Sequence, residues 1–312
     1  MPQIVTLTVN PAVDKSANVD NVVPEHKLRC DRPRFEPGGG GINVSRAVKK
    51  LGGESVAYFA AGGPVGDMLT DLLLDEDVHA TRLEINGAWT RENLVIYEES
   101  SGTQYRFGMP GPELNEEWSE YCLERLKAID PAPDYIVASG SLPPGLPVDF
   151  YARVAETGKE MGSRVVVDTS KEALVRAAGT ELFLLKPNLR ELSQIAGRDL
   201  EEEDQQVEAA RKLIERGKAE VVMVSKGAGG ALLVTDDGSQ HLRTPTVPIQ
   251  SKVGAGDSTV AGVVLALARG MEVYDAVRFG MAAGAAAVMT PGTELCRRED
   301  AERLFEKIRS EN

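Results

Sequence analysis

Five short runs in this chain are apolar almost without interruption: Ser55–Ala60, Asp134–Ala138, Arg164–Asp168, Leu182–Leu185 and Glu220–Val224. A strand with one wet face alternates apolar and polar residues, whereas an unbroken run is buried on both faces, as in a parallel sheet. Amphipathic helical patterns lie between the runs, at about 64–76, 114–128, 147–162 and 203–217. The alternation predicts an α/β fold, a three-layer α/β/α sandwich around a mainly parallel sheet. Two further helices, at about 257–269 and 273–288, are rich in Ala and Gly, a composition suited to close packing on the sheet. Two segments break the rhythm. Residues 11–36 are polar and punctuated by proline, and residues 88–108 hold two strand-like runs, Glu92–Glu99 and Thr103–Phe107, joined by Ser100-Ser101-Gly102 as in a hairpin. Both are candidates for a small β lid outside the main sheet. Without a hinge-like linker or an internal repeat, residues 1–312 read as one domain.

Charge narrows the function classes. With 35 basic and 48 acidic residues the formal charge is −13. Non-specific nucleic-acid binding needs a basic footprint, and anionic membrane surfaces repel such a chain. Any anionic small molecule must therefore meet locally concentrated positive charge. Cys30, Cys122 and Cys296 are too scattered for a disulfide framework, and His26, His79 and His241 too scattered for a zinc site. No apolar run approaches the ~20 residues of a membrane span. The stretch Met1–Leu7 lacks a basic segment followed by a long apolar one, so a cytoplasmic location is expected.

The strongest chemical signal is Val253-Gly254-Ala255-Gly256-Asp257-Ser258-Thr259 opening a helix. Small residues admit a ligand close to the backbone, and the unpaired N–H groups of a first helical turn favour an anion. A carboxylate at that end could take a proton from a hydroxyl attacking phosphorus. The plainer alternative is an ordinary helix start. Four consecutive glycines, Gly38–Gly41, precede Asn43 and an expected helix over Val44–Leu51; either backbone approaches something closely there, or the run is a flexible turn. Asn188 and Glu191, three apart after Lys186-Pro187, share a helix face and offer oxygens suited to a water-rich Mg²⁺ site, although a solvated face would look the same. Ser225-Lys226-Gly227-Ala228-Gly229-Gly230 follows a strand end, where open α/β sheets bind ligands. Lys27, Arg29, Arg91 and Arg106 concentrate positive charge in the presumed lid, and arginine matches phosphate with two prongs. Asp14 is either a turn aspartate or an acceptor for sugar hydroxyls. The chain has no G-x-x-x-x-G-K-[ST], G-x-G-x-x-G or G-x-S-x-G, which disfavours P-loop NTPases, Rossmann dehydrogenases and α/β-hydrolases.

Taken together, Gly38–Asn43, Lys186-Pro187-Asn188, Ser225-x-Gly227-x-x-Gly230 and Gly254-Ala255-Gly256-Asp257 resemble, in that order, the signatures of PfkB-type carbohydrate kinases of the ribokinase-like fold, over essentially the whole chain. Lys27-Leu28-Arg29-Cys30, Phe35-Glu36-Pro37-Gly38, Trp89-Thr90-Arg91, Gln104–Phe107, Gly140–Gly145 and Arg278-Phe279-Gly280 look like the 6-phosphofructokinase branch of that family. The resemblance implies ATP-dependent phosphorylation of the 1-hydroxyl of fructose 6-phosphate, with tagatose-6-phosphate kinase, 1-phosphofructokinase and a non-catalytic sugar-phosphate sensor as alternatives. It implies Asp257 as catalytic base, with the N–H groups of Gly254, Ala255 and Gly256 as the anion hole. Asp14, Gly39, Asn43 and Ser141 would hold the sugar, and Arg91, Arg106 and Lys27 its phosphate. Lys186, Asn188, Ser225, Gly227 and Gly230 would line the ATP site, and Glu191 would organise Mg²⁺ through water. Potassium, a frequent companion in the family, would lie near Ser251, Val253, Ala287 and Gly292, but the loop Thr290–Glu294 departs from the family's usual Asn and Arg at its two ends. A homodimer held by the β lids is also implied.

Overall fold

The computed structural model describes residues 3–311; Met1, Pro2 and Asn312, at the ends of the expected domain, lie outside the described residues. The first part of the chain runs β1 (Ile4–Thr8), β2 (Ala12–Val19), β3 (Arg34–Gly38), α1 (Gly40–Lys50), β4 (Val56–Ala61), α2 (Gly63–Asp75) and β5 (His79–Glu84). Next come β6 (Arg91–Glu98), β7 (Thr103–Phe107), α3 (Glu116–Lys127), β8 (Tyr135–Ser139), α4 (Phe150–Glu160), β9 (Arg164–Asp168) and α5 (Lys171–Ala177). The remainder is β10 (Leu182–Leu185), α6 (Leu189–Ala196), α7 (Glu203–Glu215), β11 (Ala219–Ser225), β12 (Ala231–Thr235), β13 (Gly238–Leu242), α8 (Ala255–Ala268), α9 (Val273–Val288) and α10 (Arg298–Glu311).

Nine strands form one sheet in the order β13-β12-β11-β10-β9-β8-β1-β4-β5. Pairing is parallel except at the β11–β12–β13 edge. All five apolar runs are strands of this sheet, displaced by at most a residue or two from their expected bounds. Successive residues supply opposite cores: Tyr135 and Val137 of β8 face the layer containing α1, α8, α9 and α10, whereas Ile136 and Ala138 face α3 to α7. The edge strands β5 and β13 carry less apolar sequence, and periodicity alone does not reveal them. The Ala- and Gly-rich helices pack most closely on each other rather than on the sheet. A Cβ added at Gly262 of α8 would stand 2.7 Å from Gly280 Cα of α9. Among the described residues, no helix is long and apolar enough to cross a membrane.

The two segments that broke the rhythm form a second sheet, β3-β2-β6-β7. Strands β6 and β7 are the expected hairpin, and β2 pairs parallel with β6 from Ala12–Arg91 to Val19–Glu98. In the large sheet, the chain leaves β1 toward β4 and β5, then returns to place β8 on the other side of β1. The strand order thus reverses beside β1, and at such a reversal the carboxyl ends of neighbouring strands open a crevice. The lid sheet stands over it.

Candidate functional site

The crevice explains the glycine run. The N-terminus of α1 wedges between the carboxyl ends of β1 and β8, where a side chain at position 40 would strike Ser139 Oγ and one at 41 would lie 2.6 Å from the Leu7 carbonyl. Gly39, the N-cap, has φ of +123°, a backbone conformation that L side chains rarely adopt. The close approach is thus to the chain's own backbone. The helix begins at Gly40 rather than at Val44, because these glycines already lie in helical backbone, with the Ile42 N–H donating to the Thr8 hydroxyl oxygen at 2.8 Å as a borrowed cap. Asn43 therefore sits in the first turn, buried, and its Nδ2 donates to Asp257 Oδ2 at 2.8 Å.

Asp257 is the third residue of α8. Gly254 caps that helix with φ of +73°, and no side chain occupies the cap, so the first-turn N–H groups of Ala255 and Gly256 are open to an external anion. Desolvation in the cleft pushes the Asp257 carboxyl up to about 7, and the nearby charge of Asp168 adds to this; the Asn43 hydrogen bond and the Lys186 ammonium act the other way. Lys186 is buried and lies 3.2 Å from Asp168. Burial works against its charge, yet the carboxylates of Asp168, Asp257 and Glu191 together raise its pKa. An ammonium, two carboxylates and an anion-seeking helix end thus converge on one point. A carboxyl that titrates near neutrality can accept a proton there.

Two cavities flank this point. One of about 480 Å³ is lined by Lys186, Ser225, Gly227, Gly230, Ala255 and Gly256, with Val247, Ile249 and Met281 as apolar walls. The other, about 270 Å³, lies under the lid between Asp14, Glu36, Asn93, Arg106, Val253 and Thr293. Asp14 accepts from Asn93 Nδ2 at 2.8 Å, and its pKa is raised by burial despite that bond and the nearby Arg91. Ser141, just past β8, accepts from Asn10 at 3.1 Å.

The structure places several of the expected residues in other contacts. Arg91 spends its guanidinium on the backbone carbonyls of Asn10, Pro11 and Met109, at 2.8–3.3 Å, tying the lid to the segment after β1. Lys27 is on an exposed loop and does not line the lid cavity. Asn188 and Glu191 do not present two oxygens side by side. Asn188 caps α6, its Oδ1 accepting from the Glu191 N–H at 3.0 Å while Glu191 Oε2 accepts from the Asn188 N–H at 2.8 Å. Ser251, Val253 and Gly292 do gather beside α8, but the Ser251 hydroxyl donates to the Gly292 carbonyl at 2.9 Å and that of Thr290 to the Ala287 carbonyl at 2.8 Å. Asn10, Asn93 and Asp168 were missed. Asp168 carried a usable signal, since it is the polar residue that ends the Val165–Val167 run of a parallel strand, the end at which such sheets bind ligands. Asn10 and Asn93 carry no comparable mark.

A nucleotide-sized cleft and a smaller cavity under the lid, on either side of a helix end that carries a carboxylate, form the geometry of a phosphoryl-transfer enzyme. Comparison with known proteins agrees. The family model "pfkB family carbohydrate kinase" matches residues 6–300, and the chain belongs to that family. It is 46% identical over 305 residues to the ATP-dependent 6-phosphofructokinase isozyme 2 of Mycobacterium tuberculosis, covering 98% of this chain and 89% of the relative. A 1-phosphofructokinase of Bacillus subtilis is 33% identical over 306 residues, with 98% of each covered. The crystal structure of phosphofructokinase-2 from Escherichia coli in complex with potassium superposes with a TM-score of 0.94 at 42% identity, covering 99% of this chain and 100% of that one.

Proposed function

We propose that this chain is an ATP-dependent 6-phosphofructokinase, transferring the γ-phosphoryl group of ATP to the 1-hydroxyl of fructose 6-phosphate. The observation that carries the mechanism is the position of Asp257, a carboxylate titrating near neutrality between the two cavities and in the same helical turn as open backbone N–H groups. ATP occupies the larger cavity, its phosphates running toward Lys186 and α8. The sugar occupies the lid cavity, its hydroxyls received by Asp14, Asn43, Ser141 and the Gly39 backbone. Asp257 takes the proton from the attacking hydroxyl, and the N–H groups of Gly254, Ala255 and Gly256 receive the charge on the moving phosphoryl group. Lys186 neutralises phosphate oxygens, and lid closure excludes water that would otherwise accept the phosphoryl group.

The described residues contain no cluster of three or more acidic, His or Cys side chains that could hold a metal. Glu191, whose second carboxylate oxygen the capping box leaves over, would hold a Mg²⁺ ion arriving with the nucleotide through water. Such an ion offsets phosphate charge when bound. A monovalent cation fits less well, because hydroxyls of this chain already donate to the Gly292 and Ala287 carbonyls.

Arg106 is the anchor for the sugar's phosphate, since it lines the lid cavity and its guanidinium is held by Gln104 at 2.7–2.9 Å. Removing one charged hydrogen-bonding partner costs about 1.5–3 kcal/mol, so Arg106→Ala should raise the KM for fructose 6-phosphate by roughly 10- to 100-fold with a smaller change in kcat. An unchanged KM would remove Arg106 from this role. A coupled assay with fructose 6-phosphate, fructose 1-phosphate and tagatose 6-phosphate decides among the family's ketose phosphates. Failure to form ADP with every sugar phosphate would favour a non-catalytic sensor.

A homodimer through the lids completes the proposal. Trp89 is 66% exposed, and Val23, Leu28, Tyr97, Phe107 and Met109 are also exposed, all within or beside the lid. Apolar side chains gathered on one element mark an association surface. Light scattering should give twice the chain mass, and Tyr97→Glu with Phe107→Glu should give a monomer. A monomeric wild type would end this part of the proposal.

A further inference from the structure

Arg46, on α1 one turn beyond Asn43, is 2% exposed and has no part in the chemistry above. Its fork divides between two directions. Nε and Nη2 donate to the two oxygens of Glu76, just past α2, at 2.7 and 2.5 Å. Nη1 faces three more oxygens: the Pro37 carbonyl at 3.0 Å, the Thr293 carbonyl at 3.3 Å and Asn43 Oδ1 at 3.4 Å. Each belongs to a different wall of the site. Pro37 leads into the glycine run, where Gly38 abuts the Asp14 carboxylate. Thr293 lines the lid cavity, and Asn43 donates to Asp257.

An amide can turn either its oxygen or its NH₂ toward a neighbour, and little distinguishes the two by shape. Here the neighbours decide. With a guanidinium on one side and a carboxylate on the other, one orientation pairs donor with acceptor at both contacts: Oδ1 toward Arg46 and Nδ2 toward Asp257. The flipped amide would set NH₂ against guanidinium and carbonyl against carboxylate. Lysine could not substitute, because a single ammonium cannot hold two Glu76 oxygens while facing three others.

We propose that Arg46 is a positioning residue for phosphoryl transfer: buried and anchored by Glu76, it fixes the Asn43 amide that aims Asp257 and ties the glycine run and the Thr293 loop into one floor beneath the sugar. This rests on the phosphofructokinase reading, so the wild type is first assayed alone; a wild type that turns over a different ketose phosphate refutes that reading, and the Arg46 variants are then assayed on the sugar it does use. Small misplacement of a reacting group costs up to about 100-fold, so Arg46→Lys should lower kcat on the order of 10- to 100-fold. The KM for the sugar phosphate should rise and that for ATP should stay within about twofold, because the three contacts lie on the sugar side. In an Asn43→Ala background the same substitution should change kcat by less than about twofold, since the amide through which Arg46 acts on Asp257 is gone, while the rise in the sugar KM, which rests on the Pro37 and Thr293 carbonyls, should remain. Equal losses in both backgrounds, or a lower melting temperature with the sugar KM and kcat preserved, would overturn the proposal. Should Arg46→Lys not fold, the half-exposed anchor provides the second cycle. Glu76→Gln should lower kcat severalfold when Asn43 is present and leave it unchanged with Asn43→Ala; no loss, or the same loss in both, overturns the proposal equally.

Discussion

Asp257→Asn is expected to lower kcat for fructose 6-phosphate by about 10²- to 10⁴-fold, the usual contribution of a positioned general base, with both KM values within about threefold of wild type. The substitution keeps the size of the side chain and its place in the first turn of α8 but removes the proton acceptor. In the wild type, kcat/KM should fall as pH drops through about 7, because the carboxyl must be ionised to act and burial holds its titration there. The residual activity of the variant should lack that limb. Near-normal turnover would remove Asp257 from the role of base.

The same shift predicts a cost in stability. A carboxyl whose folded pKa lies above its unfolded value near 3.8 favours folding while protonated and loses that contribution as pH rises toward about 7. At pH 8 the ionised Asp257 is therefore a burden in the ligand-free protein. Asp257→Asn should melt at a higher temperature than wild type at pH 8, with the difference shrinking toward pH 4. An equal melting temperature at both values would mean that the carboxyl is not perturbed in the folded chain.

Lys186→Met is the second large effect. Lys186 is the buried cation between Asp168 and Asp257, and it stands at the end of the nucleotide cleft nearest α8. Removing a charge aimed at the developing phosphoryl charge should lower kcat about 10²- to 10³-fold. It should also raise the KM for ATP. The sign of the pH effect follows from the charges. Lys186 lowers the Asp257 pKa and Asp168 raises it, so without the ammonium two carboxylates face each other unscreened and Asp257 titrates higher. The acid limb of kcat/KM should therefore move to higher pH. A limb that stayed in place would show that Lys186 serves the nucleotide alone and does not tune the base.

Much of this site could be read from the chain because its parts are local. The α8 entrance needs small residues and a carboxylate within four consecutive positions, and Gly254 to Asp257 are contiguous. The Ser225–Gly230 turn likewise follows directly from a strand whose apolar run is visible. Other parts escaped because their meaning depends on partners distant in sequence. Arg91 looks like a phosphate ligand until three backbone carbonyls claim it. Arg46 looks like a helix-surface arginine until Glu76 and Thr293 arrive from elsewhere in the chain. Glu191 looks like a metal ligand three residues from Asn188, yet that spacing equally suits the capping box it forms.

By itself, then, the order of residues determined the layered architecture, the existence of a lid, and the helix end at which an anion and a base could meet. Unbroken apolar runs have few ways to be buried, and a first turn rich in glycine has few uses. Which charges remain free was decided by the tertiary structure alone. A guanidinium or carboxylate is available to a substrate only when no backbone carbonyl or N–H has already taken it, and those competitors arrive from strands and loops that sequence proximity does not reveal.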